Sequence, residues 1–218
     1  MDMDWDPKMQ SLPGDYSGLN DTHRVVGIPM RLDTLLPSDP ETGTVTAMAL
    51  RVYLYATMDL MSRHAQPLSI IHLGVDESGS SRCFGSEGAR LIGRAVARCV
   101  FQETRTHDVV GRAEDTDAKR IPTFLLVCPL MNEEGATNLA ERLCSVMTAH
   151  AVDSDLPWLT VSAGVAGLSL DVLEPEDMIA RATEALRCAQ KSGGGRVWRH
   201  SESVRRIVDN NWPEPSTD

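Results

Sequence analysis

Leu68-Ser-Ile-Ile-His-Leu-Gly-Val-Asp76 is short, strongly apolar, and bounded by Pro67 on one side and the cluster Ser78-Gly-Ser-Ser81 on the other. A run of that kind reads as the central strand of a sheet covered on both faces. Upstream, Ala49, Val52, Leu54, Tyr55, Met58 and Met61 recur near helical spacing, which predicts a helix from Val45 to Arg63 that stops at Gln66-Pro67. Downstream, Leu91, Ile92, Ala95, Val96, Cys99 and Val100 form one face of a second helix. Gly93 inside that helix costs roughly 1 kcal/mol relative to alanine.

A short strand follows at Asp108 to Arg112, and Ile121-Pro-Thr-Phe-Leu-Leu-Val-Cys-Pro129 reads as its hairpin partner, with Pro122 near its start. The polar connection between them is long for a hairpin. Asn132 can cap a helix whose face is Ala136, Leu139, Ala140, Leu143, Val146 and Met147. Leu159 to Ala166 reads as another strand. Pro175, with Glu176 and Asp177 in the first turn, opens a helix carrying Met178, Ile179, Ala182, Leu186 and Ala189, which Gly193 to Gly195 end. Val197-Trp198 adds a final edge strand.

The order is helix, then β-α-β-β-α-β, then helix and strand. That is the split βαβ layout of an α+β or α/β domain, with a central mixed sheet flanked by helices. It hosts many functions. Residues 1–38, rich in Asp, Pro, Gly and Ser without a sustained period, are expected to form a flexible N-terminal tail; residues 39–200 form the domain, and 201–218 a C-terminal tail.

The formal net charge of -10 opposes an extended nucleic-acid-binding face, which needs clustered basic residues, but leaves room for a compact anionic ligand held by two or three arginines. Five cysteines without a C-x-x-C pair argue against a disulfide framework or a zinc site. Cys99, Cys128, Cys144 and Cys188 lie in or beside apolar runs and read as buried thiols. The six histidines show no metal-ligand spacing, and His72 reads as a hydrogen-bonded core residue. No Ser-centred elbow or Cys/His pair points to nucleophilic catalysis. The methionines, Trp158 and Trp198 read as packing residues. The acidic start lacks the pattern of a signal peptide and no run reaches the length of a membrane span, so the expected setting is cytoplasmic, with no membrane partner.

Several separated segments, together covering about residues 39 to 198, resemble the GGDEF domain of diguanylate cyclases. Asp39-Pro-Glu-Thr-Gly43 resembles the family's opening Asp-Pro-Leu-Thr-Gly, Ile70 to Asp76 its Leu-Asp-Ile-Asp strand, and Val161-Ser-Ala-Gly-Val165 its Val-Ser-Ile-Gly-Val strand. Ala182-Thr-Glu-Ala-Leu-Arg-Cys-Ala-Gln190 resembles its last helix. The resemblance implies a nucleotidyl-cyclase, palm-like core. It also implies that the catalytic apparatus is lost. The first metal-binding Asp aligns with Gly74, while Asp76 occupies the other Asp of that motif; Arg112 to Phe124 replaces the catalytic hairpin with a longer polar loop in which Glu114, Asp115 and Asp117 read as solvated charges. The guanine-reading Asp aligns with Ala89 or Arg90, and the phosphate-binding Lys with Gln190. No catalytic residue, metal ligand or cofactor is therefore assigned.

What the resemblance retains is a regulatory site. Arg105 and Asp108 match the family's Arg-x-x-Asp element for cyclic di-GMP, and Arg142 its assisting arginine on the next helix. The bare pattern recurs at Arg112/Asp115 and Arg206/Asp209, so only its place in the aligned domain gives it force. Guanidinium forks match phosphate oxygens and stack on guanine, and a carboxylate accepts from guanine N–H groups. His107 lies within this segment but reads as a solvent-facing linker residue. The plainer alternative is a surface Arg105–Asp108 ion pair closing a helix end, worth at most about 1 kcal/mol. The expected function is a catalytically inactive GGDEF domain acting as a cyclic di-GMP receptor that signals to a protein partner through the helix at Val45 to Arg63, with homodimerisation around a stacked ligand pair compatible with it. The rivals are a nucleotide-independent interaction module, and a divergent GTP-binding protein or weak cyclase using Asp76.

Overall fold

Among the described residues, strand β1 (Leu68–Val75) is the middle of five strands and is buried from Leu68 to Gly74. This computed structural model describes residues 31–76, 85–113, 121–153 and 159–201. The strand order is β2-β3-β1-β4-β5, with β2 at Val109–Arg112, β3 at Phe124–Pro129, β4 at Val161–Gly167 and β5 at Val197–Arg199. β1 runs antiparallel to both neighbours, with Ile70 opposite Val127 and Ile71 opposite Val165, whereas β5 pairs parallel to β4. The sheet is mixed, as expected.

Side chains alternate along β1. Leu68 and Ile70 join the cluster under helices α1 (Ala47–Arg63) and α4 (Pro175–Lys191), while Ile71 and Leu73 join the one under α2 (Gly85–Glu103) and α3 (Glu133–Asp153). Each such side chain contributes roughly 1.5–3 kcal/mol by leaving water, so a register slip of one residue would exchange two complete core faces. Helix α4 lies directly on β4: a Cβ at Gly164 would stand 2.0 Å from the carbonyl oxygen of Ala182. Only glycine permits that approach.

Helix ends follow their capping residues. The Oδ1 of Asn132 accepts the N–H of Gly135 at 2.9 Å at the start of α3. Pro175 opens α4, where the Asp177 carboxylate accepts the N–H groups of Leu173 and Glu174. Cys99, Cys128, Cys144 and Cys188 are buried thiols outside any disulfide among the described residues, and Trp198 packs in the core. No helix among the described residues is long and apolar enough to cross a membrane.

Two boundaries differ from the sequence expectation. Val45 is not the first helical residue: it is fully buried and extended, accepting from the N–H of Arg112 and donating to the carbonyl of Val110, both at 2.9 Å. That bridge partners the outer side of β2, and α1 starts only after Thr46, whose hydroxyl accepts the N–H of Ala49. Residues 31–38, assigned on sequence to the tail, lie against the domain: a 3-10 turn at Leu32–Leu35 buries Asp33, and Ser38 bridges to Val45. Glu114, Asp115, Asp117, Trp158, Arg206 and Asp209 lie outside the described residues.

Candidate functional site

The chain leaves α2 at Glu103 and reaches β2 at Val109 through a tight turn. Asp108 closes it twice, its carboxylate Oδ2 accepting the N–H of Arg105 at 2.8 Å and its own N–H donating to the Arg105 carbonyl at 3.1 Å. The Asp108 side chain is fully buried, and its second oxygen, Oδ1, has no hydrogen-bond partner among the described residues. Burial raises its carboxyl above the ordinary value of 3.8, opposed by the Arg105 N–H bond and by the positive charges of His107, Arg105 and Arg31. The expected alternative of a surface Arg105–Asp108 ion pair is therefore not what forms. The bond is to backbone, and among the described residues the exposed Arg105 guanidinium has no partner.

Arg142 reaches the same place from α3. Arg105, Asp108 and Arg142 line one cavity of about 250 Å³ together with Glu103, Asn138 and Met131. Arg142 is engaged: its Nε pairs with the Glu103 carboxylate at 2.9 Å and its Nη2 donates to the Glu103 carbonyl at 2.7 Å. His107 is exposed and contributes only its carbonyl, which accepts from the Tyr53 hydroxyl.

Behind the cavity stands a residue that no sequence signal flagged. The Arg31 guanidinium donates to the carbonyls of Phe101 and Thr104, to the Thr104 hydroxyl at 2.9 Å and to the Asp108 carbonyl at 3.3 Å, and it stacks over the Phe101 ring. It thus satisfies orphan carbonyls at the C-terminus of α2, where the helix dipole favours a cation. Buried Asp33 fixes its orientation through bonds of 3.0–3.2 Å.

A second group of positions gathers at the end of β1. A Cβ at Gly74 would lie 3.2 Å from Gln190 Nε2 and from Leu186 Cδ2, so the two positions where the resemblance misses an acid and a lysine are neighbours in space. Asp76 is nearly buried; its Oδ2 accepts from the Thr160 hydroxyl at 2.8 Å and the Gly195 N–H at 2.7 Å. The turn at Gly193, Gly194 and Gly195 has φ of 107°, 72° and 61°, and a Cβ at Gly194 would collide with that carboxylate. Asp76 is a loop anchor. Ala89 is buried, and Arg90 is paired with Glu87. One turn further along α2, Pro122 packs so closely on Gly93 that a Cβ there would stand 2.6 Å from its ring.

Deeper on this face, a mainly apolar cavity of about 170 Å³ lies between α1, α4 and the sheet, lined by Leu50, Leu54, Ile70, Leu125 and His72. The His72 ring nitrogens are satisfied by the hydroxyls of Thr183 and Thr123, each at 3.0 Å. Burial, and then the charge of Arg187, push its pKa down to about 4, so the imidazole is neutral at physiological pH.

No protein-family model matches the sequence, and no curated protein matches it. Solved structures do. The GGDEF domain of DgcB from Caulobacter crescentus in complex with c-di-GMP superposes with a TM-score of 0.65 at 16% identity, covering 75% of this chain and 92% of that one. The active GGEEF domain of a diguanylate cyclase from Vibrio cholerae gives 0.62 at 20% identity, covering 71% and 96%. Diguanylate cyclase SiaD in complex with its activator SiaC from Pseudomonas aeruginosa gives 0.64 at 24% identity, covering 74% and 61%.

The chain has the GGDEF-domain fold.

The resemblance implies divalent metal on a bound triphosphate, and the described residues do not fit one. A hard cation needs convergent oxygen ligands. Position 74 offers no side chain, the Asp76 Oδ2 is already committed to Thr160 and Gly195 so that its unpartnered Oδ1 is a single oxygen, and no cluster of three or more ligating side chains exists among the described residues.

Proposed function

We infer that this GGDEF domain no longer makes cyclic di-GMP and instead binds it as a signal, through Arg105, Asp108 and Arg142, passing occupancy to a protein partner. The observation that carries this reading is the convergence of those three side chains on one polar cavity, where among the described residues a buried carboxylate oxygen and the Arg105 guanidinium have no partner. An orphaned buried acceptor costs about 1–3 kcal/mol, and a ligand N–H group that satisfied it would recover that cost on binding. The free Arg105 guanidinium suits a phosphate, and the carboxylate suits the N–H edge of guanine. A complex with cyclic di-GMP of the DgcB domain, which shares the fold, is consistent with this ligand.

Loss of synthesis is supported by the other group of positions. Gly74, Gln190 and buried Ala89 cannot supply the acid, the lysine and the base-reading carboxylate that the resemblance requires, and Asp76 is engaged as a loop anchor. A cytoplasmic setting and a protein partner belong to the same reading. Ligand present at a hundred times its dissociation constant should add about 2.7 kcal/mol of stability, which for a domain of this size raises the melting temperature by roughly 5–10 °C. Melting curves with and without cyclic di-GMP, beside a GTP turnover assay with magnesium, test both halves. An unmoved melting temperature would favour a nucleotide-independent interaction module; steady turnover abolished by Asp76→Ala would favour an enzyme.

A further inference from the structure

The two arginines of the cavity are in different states. Arg105 is exposed and, among the described residues, unpartnered, whereas Arg142 is held at both ends of Glu103, by carboxylate and by carbonyl. Glu103 is the last residue of α2, and a carboxylate there faces the negative end of the helix dipole, so its position does not serve the helix. It lines the same cavity as Arg142 and is the shared boundary between α2 and α3 at this point. The pair is only partly shielded, with side-chain exposures of 28% for Glu103 and 55% for Arg142, so it opens at modest cost.

We propose that Glu103 is an internal competitor for the ligand: its carboxylate occupies the guanidinium face of Arg142 that a phosphate would take, and it sets how much cyclic di-GMP is needed to fill the site. This rests on the reading of the cavity as a cyclic di-GMP site. A phosphate arriving at Arg105 takes the Nε edge of Arg142 by displacing the Glu103 carboxylate, which then stands unpaired beside a dianionic ligand. Both effects lower affinity, and the bond from Arg142 to the Glu103 carbonyl survives the exchange. The pair therefore works as a threshold device in which occupancy is coupled to a rearrangement between the end of α2 and α3.

Calorimetric titration of the full chain with cyclic di-GMP tests this in wild type, Glu103→Gln, Glu141→Gln, Arg142→Ala and the Glu103→Gln/Arg142→Ala double variant. Glutamine keeps the backbone carbonyl and the shape while removing the charge. The expected result is affinity tightened roughly three- to tenfold in Glu103→Gln, as for release of a partly exposed ion pair. In the Arg142→Ala background the same change should tighten affinity clearly less, because only the repulsion of the ligand by the Glu103 charge is then relieved. Glu141→Gln, on the neighbouring residue of α3 but outside the cavity, should also stay within about twofold, separating competition from bulk charge. Binding seen only in Glu103→Gln would likewise support the competitor. A wild type that binds and a Glu103→Gln variant that binds equally or more weakly, or tightening that is as large without Arg142 as with it, would overturn the role of Glu103 and leave the ligand assignment standing. No binding in wild type and in Glu103→Gln would overturn both.

Discussion

Asp108→Asn separates stability from function at the centre of the cavity. In the folded protein the carboxylate is fully buried, uses Oδ2 to accept the Arg105 N–H at 2.8 Å, and leaves Oδ1 unpartnered. An asparagine oxygen can accept the same N–H. What changes is the other corner, where an unpaired carboxylate oxygen is replaced by an unpaired amide, and the group's charge, which burial disfavours, is gone. Stability at neutral pH should therefore stay within about 1 kcal/mol of wild type, or rise, whereas loss of a charge-assisted acceptor for guanine should weaken cyclic di-GMP by about 1.5–3 kcal/mol, roughly ten- to 150-fold. The pH dependence has a definite sign. Because the folded carboxyl titrates above its ordinary 3.8, the folded state binds the proton more tightly; ionised Asp108 costs stability at neutral pH, and the cost is relieved as pH falls through the folded value. The stability difference between variant and wild type should accordingly shrink toward acid. Urea denaturation at several pH values, with calorimetric titration at neutral pH, reads both quantities. A neutral-pH loss of more than about 2 kcal/mol would mean that Asp108 forms a stabilising ion pair, and unchanged ligand affinity would remove it from the site.

Arg31→Ala removes four donations to the end of α2 and β2 and leaves buried Asp33 unpaired, so it should cost about 2–4 kcal/mol in urea melts, a loss near zero refuting the docking of residues 31–38. Gly93→Ala gains roughly 1 kcal/mol of helix propensity but sets a Cβ 2.6 Å from the Pro122 ring; net destabilisation of about 1–2 kcal/mol is expected, and a more stable variant would show that Pro122 moves freely. His72 titrates at about 4 when folded against about 6.5 unfolded, so its contribution is complete above pH 6.5 and falls by up to about 3 kcal/mol as pH drops toward 4. His72→Gln should flatten stability across that window, and an equally steep profile would contradict the buried neutral imidazole.

The core was legible because it is periodic. The apolar run at Leu68–Val75 and the repeats in α2, α3 and α4 announce their partners locally, and Asn132, Pro175 and Gly193 mark helix ends by backbone chemistry that acts within a few residues. Position within that framework then gathered Arg105, Asp108 and Arg142. What escaped depends on contacts distant in sequence. Arg31 lies in an aperiodic segment and finds its carbonyls some 70 residues away. Val45 looks like the first residue of a helix until Gly111 is seen beside it. Gly93 registered only as a helical cost because Pro122 meets it in space alone. Burial of Asp108 was hidden by the polar neighbours Thr106 and His107, and Glu103 carried no signal until Arg142 was found on it.

Titration of the purified protein with cyclic di-GMP, wild type against Arg105→Ala, bears most directly on the cavity. Saturable binding to wild type, weakened at least about tenfold when the Arg105 guanidinium is removed, is the expected result. Absence of binding to wild type, or equal affinity in the variant, would contradict it.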